Sequence, residues 1–154
     1  MSGLKEIVYL RKATSDDCDL LFGWANDSLT RNNSFNTEPI SYERHIEWYK
    51  KILASQSVIQ YILELNQNGR IIPIGQIRLD VEGSVAEVSY SISKDYRGFG
   101  YGKKVLQLIE AEIEKESINI EKLVAKVKPD NVASAKAFLD NGYCNKCVEF
   151  EKVC

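Results

Sequence analysis

Residues Arg97-Gly98-Phe99-Gly100-Tyr101-Gly102 constrain this chain more than any other stretch. They join an alternating, strand-like run, Glu87-Val88-Ser89-Tyr90-Ser91-Ile92, to a helix-like run beginning near Gly102. A strand that turns through glycines into a helix belongs to an α/β fold. Glycines at 98, 100 and 102 let the backbone approach a ligand with no Cβ in the way. The helix start offers unpaired N–H groups and the positive end of the dipole. That combination suits a phosphate or diphosphate.

Spacing excludes two familiar phosphate loops. A P-loop reads G-x-x-x-x-G-K-S/T. Here Lys104 follows Gly102-Lys103, and Arg97 stands where the first glycine belongs. A dinucleotide loop reads G-x-G-x-x-G and follows the first strand of its unit. Here the glycines alternate, and the loop lies past the chain's midpoint. The pattern present is R-x-x-G-x-G.

A second stretch is independent of the first. Strand-like Leu123–Val127 runs into Lys128-Pro129-Asp130-Asn131, followed by Ser134, Phe138 and Gly142-Tyr143. Asn131 suits the N-cap of a helix through Ala133–Asp140, and Gly142 its C-terminal cap.

Together these two stretches resemble the GNAT acetyltransferase superfamily. Its acyl-CoA loop reads R-x-x-G-x-G, and a similar V-x-P-x-N segment precedes a helix carrying a small residue and an aromatic. The resemblance implies acetyl-CoA as cosubstrate. Arg97, Gly98, Phe99, Gly100, Tyr101, Gly102 and Lys103 would hold its diphosphate. Asn131, Ser134 and Phe138 would line the pantetheine arm. The strand Tyr90–Ser93 would pair with the pantetheine amides, a backbone N–H near Ile92 meeting the thioester carbonyl. Glu87, on the strand leading to the loop, would be the base that takes the amine's proton, directly or through water. The family's thiolate-protonating tyrosine falls at Phe138, which has no proton to give.

The rest of the pattern agrees in order. Residues 6–12 alternate like a first strand. Thr14-Ser15-Asp16-Asp17 caps a helix carrying Leu20, Leu21 and Trp24. Ser41 opens a second helix with His45, Ile46, Trp48, Tyr49, Ile52 and Leu53. Strands over 58–65 and 71–79 flank Asn66-Gln67-Asn68-Gly69, and a third spans 85–92. A helix over 102–117, a strand over 122–127 and a helix over 132–141 follow. The order β-α-α-β-β-β-α-β-α-β gives a mixed, mostly antiparallel α/β sheet flanked by helices, in one domain over 1–154. Only 12 residues follow Gly142, where the family places two long strands. An unpaired edge is a liability, so a homodimer that completes the sheet is expected.

The acceptor region holds Trp24-Ala25-Asn26-Asp27, Arg31, Ser34-Phe35, Ile40-Ser41, His45 and Trp48. It looks like the N-acetyltransferases acting on UDP-linked amino sugars in pseudaminic acid biosynthesis. On that likeness Arg31 would grip a diphosphate and His45 donate to a phosphate. The two tryptophans read as core residues of their helices. Two other readings stand beside it: acetylation of a protein N-terminus, in the manner of ribosomal-protein acetyltransferases, and an acetyl-CoA-binding module without turnover.

Composition narrows the partners. A net charge of -2 with no basic block argues against nucleic acid. No apolar run approaches the ~20 residues needed to span a bilayer, and no secretory leader opens the chain. A cytoplasmic protein is expected. Cys18, Cys144, Cys147 and Cys154 read as reduced thiols. Zinc would need two ligands beyond Cys144 and Cys147, and the sole histidine, His45, is distant, so no metal is expected.

Overall fold

The computed structural model describes residues 6–145. Five strands form one sheet in sequence order: β1 Glu6–Lys12, β2 Val58–Gln67, β3 Arg70–Glu82, β4 Val85–Ile92 and β5 Lys122–Val124. The first four pair antiparallel, and β5 joins β4 in parallel. Helices are α1 Cys18–Ala25, α2 Ser28–Asn33, α3 Tyr42–Ala54, α4 Tyr101–Lys115 and α5 Val132–Asp140. No helix among the described residues is long and apolar enough to cross a membrane.

The mixed α/β architecture is the expected one. Asn68 and Gly69 turn β2 into β3 with φ of 53° and 89°, the paired positive values of a tight hairpin. Asn131 caps α5 by accepting from the Ser134 amide. Gly142 closes it at φ 86°, with Tyr143 N–H donating to the Phe138 carbonyl and Gly142 N–H to that of Leu139. That double bond is the Schellman closure. Helix α2 was not anticipated; Asp27 nucleates it by accepting from the Thr30 amide. Strand β5 stops at Val124 rather than 127, because β4 and β5 stop pairing there. The expected last strand and the dimer that would complete the sheet turn on residues 146–154, outside the described residues.

Alternation along the strands divides the core. Ile74, Ile77, Leu79, Ala86, Val88 and Ile92 pack with Val105, Leu106 and Ile109 of α4 and Phe138 of α5. On the opposite face Ile62 packs with Leu21 of α1 and with Tyr49 and Ile52 of α3. One position in the sheet is sterically closed to any side chain. A Cβ on Gly75 would lie 2.7 Å from the Ser91 carbonyl oxygen.

Candidate active site

After β4 a short 3-10 turn, Lys94–Tyr96, leads into the glycine loop. Gly98 and Gly100 both have φ of 84°, a region L side chains enter at a cost. A Cβ at either would meet nothing within 4 Å, so the loop faces open space. Gly100 is the N-cap of α4 and has no side chain to satisfy the helix start. The first intrahelical bond is Lys104 N–H to the Gly100 carbonyl, at 3.1 Å. The amides of Tyr101, Gly102 and Lys103 therefore lack a helical partner. This open, amide-lined cradle fits a diphosphate. Gly102 has a separate reason: its Cβ would lie 3.1 Å from the Tyr90 hydroxyl. We expect Gly100→Ala to cost about 1–2 kcal/mol of loop strain. Loop rearrangement that relieves it should weaken coenzyme A binding about 10-fold by calorimetry, with a Tm only a few degrees lower.

Beyond the pairing with β5 the outer edge of β4 is open. Ser93 N–H donates inward to the Ile74 carbonyl, at 2.8 Å. The Ile92 carbonyl instead points outward and accepts from Arg97 Nε, at 2.9 Å. By strand alternation the amides of Val88, Tyr90 and Ile92 share that outward edge. An extended ligand can add there as a further strand. The edge ends beside the glycine loop.

The side chains of Glu87, Ser89 and Ser91 occupy the α1/α3 face, opposite the α4 core. Across the β3–β4 ladder Glu87 faces Asp80, Ser89 faces Arg78 and Ser91 faces Gln76. Gln76 donates to Ser91 Oγ and accepts from the buried Gln60, at 3.1 and 2.7 Å. Arg78 pairs with Asp80 at 2.9 Å and lies 5.4 Å from the centre of the Trp48 ring. Glu87 sits 3.7 Å from Lys126. A groove of about 470 Å3 brings Asp80, Glu82 and Glu87 together over Val58, Val85 and Val124. Asp80 was not anticipated, although counting back from the Gly83-Ser84 turn sets it opposite Glu87.

His45 is only 2% exposed. Its Nε2 meets the Cys18 carbonyl at 2.8 Å, and its ring stacks on Tyr49. It ties α3 to α1 within the core. Arg31 is folded back on its own loop, donating to the carbonyls of Asn36 and Glu38 and to Ser34 Oγ. Arg31 Nε is buried with no hydrogen-bond partner among the described residues. Trp48, read as core, is partly exposed.

Arg97 also turns from the loop it opens. Besides the Ile92 carbonyl it bonds Asp27 Oδ2 and Thr30 Oγ1. Burial works against the Asp27 carboxylate, but Arg97 and the Thr30 amide hold its pKa below the usual range. The loop's first residue thus anchors α2. A cavity of about 260 Å3 lies at this junction, lined by Gly23, Trp24, Asp27, Ile92, Ser93 and Arg97.

Phe138 is buried between Tyr90 and Tyr143, with ring centroids 5.7 and 4.9 Å away. Burial raises the pKa of Tyr90 despite a hydrogen bond with Ser134, and pushes Tyr143 up to about 12. Cys18 and Cys144 are free thiols, while Cys147 and Cys154 lie outside the described residues. No cluster of potential metal ligands forms among the described residues.

The sequence matches the acetyltransferase (GNAT) domain family over residues 8–143. No curated protein matches it. Among solved structures it is similar to a domain from Methanocaldococcus jannaschii DSM 2661, with TM-score 0.80 and 21% identity over 90% of this chain and 88% of that one. It is also similar to the spermidine N-acetyltransferase of Vibrio cholerae in complex with CoA and spermine, with TM-score 0.76 and 18% identity over 88% and 79%. A third is AAC(6′)-Ib in complex with paromomycin and acetyl-CoA, with TM-score 0.74 and 21% identity over 88% and 81%.

Proposed function

Because the chain belongs to the GNAT acetyltransferase family, and is an acetyl-CoA-dependent N-acetyltransferase, we propose that its acceptor is a small amine carrying more than one positive charge. The observation behind this reading is the groove that gathers Asp80, Glu82 and Glu87. Like charges placed opposite each other in a ladder are unfavourable, and a bound ammonium would relieve Asp80 and Glu87. Spermine and paromomycin, present in two of the similar structures, are of this chemical class. A UDP-linked amino sugar, the finer expectation from sequence, rested on Arg31 and His45; here His45 is buried and Arg31 donates to the carbonyls of Asn36 and Glu38 in its own loop.

Acetyl-CoA supplies an acetyl thioester. The chain's part is to place it, hold the amine and remove a proton. The outward Ile92 amide would donate to the carbonyl as negative charge develops. An amine on the same strand, over Ser89 and Ser91, attacks that carbon; the C–N bond forms and the C–S bond breaks. Five steps along the strand separate Glu87 from Ile92, about 17 Å at the usual rise. At that span Glu87 takes the amine's proton only through a chain of several waters past Ser89 and Ser91.

The departing thiolate needs no acid from the chain. A thiol ionises near ~8.5 and a phenol near ~10. Burial pushes Tyr90 and Tyr143 higher still, so proton transfer from either to the thiolate is uphill.

The test is CoA release on adding spermine, an aminoglycoside, a UDP-amino sugar or a peptide with a free N-terminus. Turnover is expected with the polycations, with a KM that rises with salt. Turnover confined to the nucleotide sugar or the peptide overturns this acceptor class. CoA binding with no transfer to any amine favours the non-catalytic module.

A further inference from the structure

We infer that Phe99 is a stacking platform for the adenine ring of coenzyme A, so that this loop reads the nucleoside end of the donor as well as its diphosphate. The inference rests on the donor site described above. Phe99 is 72% exposed, the most exposed aromatic ring among the described residues. Displaying so large an apolar surface opposes folding, and Phe99 has no place in either core cluster. Its neighbours Gly98 and Gly100 are both fixed at φ 84° and carry no side chains, which leaves the ring accessible. Its centroid lies 6.5 Å from that of Tyr101, whose amide opens α4. Phe99 Cα is at most about 7.6 Å from Tyr101 Cα along the chain, within reach of a nucleoside attached to a diphosphate held there.

Direction favours adenine over pantetheine. The open edge of β4 leads from the loop toward β5 and accounts for the pantetheine arm. The other substituent of the diphosphate must leave over the loop's outer surface, where Phe99 stands. Charge supplies an independent observation. The first turn of α4 has no acidic residue but carries Lys103 and Lys104, both exposed and without an ion pair among the described residues. Cations at a helix N-terminus oppose the macrodipole. A ligand bearing a diphosphate and a further phosphate on its ribose reverses that penalty.

Calorimetry on Phe99→Ala tests the idea with coenzyme A, adenosine 3′,5′-bisphosphate and 4′-phosphopantetheine. Loss of one base–aromatic stack should weaken coenzyme A and the bisphosphate about 10-fold, and phosphopantetheine less than about 2-fold. Phe99→Trp should bind coenzyme A as tightly as the parent or more tightly. Quenching of adenine absorbance on binding should vanish in the alanine variant. The proposal is overturned if Phe99→Ala binds coenzyme A like the parent. It is equally overturned if phosphopantetheine suffers as much as coenzyme A, which would make Phe99 a loop-shaping residue. Failure of the parent protein to bind either ligand would sink the donor-site assignment itself, a result distinct from both.

Discussion

Glu87→Gln should lower kcat/KM about 100-fold or more while coenzyme A affinity stays unchanged, the size of effect general-base removal usually brings. Glutamine keeps the shape and loses the proton acceptor. Glu87 is half-buried and its one ion pair among the described residues, with Lys126, is loose and exposed, so the fold should be unaffected. Asp80→Asn is the companion measurement. Asp80 lies directly across the ladder but is tied to Arg78, so its loss should raise the acceptor KM and spare kcat. That split separates a base from an anchor. A Glu87→Gln enzyme with parental kcat/KM from mildly acid to alkaline pH would remove Glu87 from the chemistry.

Asp17→Asn should destabilise the protein by about 2–3 kcal/mol, the range for losing charged hydrogen bonds. Asp17 is buried. Its carboxylate accepts from both terminal nitrogens of Arg11 and from the Thr14 amide, each at 2.8 Å. Arg11 Nε bonds Glu64 on β2, so the network joins α1's entry to β1 and β2. The Arg11 bond outweighs burial and holds the Asp17 pKa below its usual value. In the unfolded chain that group titrates near ~3.9. Between the two values the unfolded state binds more protons, so stability falls as pH drops. The contribution is complete above the unfolded value and lost as pH descends through the folded one. Denaturant melts from neutral pH to below ~4 should show the parent losing stability more steeply than Asp17→Asn. Parallel acid limbs would refute the assignment.

Features governed by neighbours in sequence were legible. The glycine loop, the Asn131 cap and the Gly142 closure each follow from local backbone chemistry, and the structure carries all three. Contacts between distant segments were not. Arg97 and Asp27 are 70 residues apart, and nothing in either neighbourhood announces their pairing. A cation opening a phosphate loop reads as a phosphate ligand until its partner is seen. For Arg31 and His45 the sequence supplied residue type without orientation. One clue for His45 was present: with Tyr49 and Ile52 it forms an i, i+4, i+7 stripe, the spacing of a buried helix face. All three are buried.

The two sides of β4 carry separate duties. On the proposed reading, main-chain groups on its outer edge serve the donor, whereas the side chains of Glu87, Ser89 and Ser91 serve the acceptor. Substitutions at Ser89, Ser91 and their ladder partners Arg78 and Gln76 can thus alter which amine is accepted without disturbing how the thioester is gripped. A chain built this way is readily retargeted: directed evolution on that handful of sites should yield new amine preferences at little loss of donor affinity.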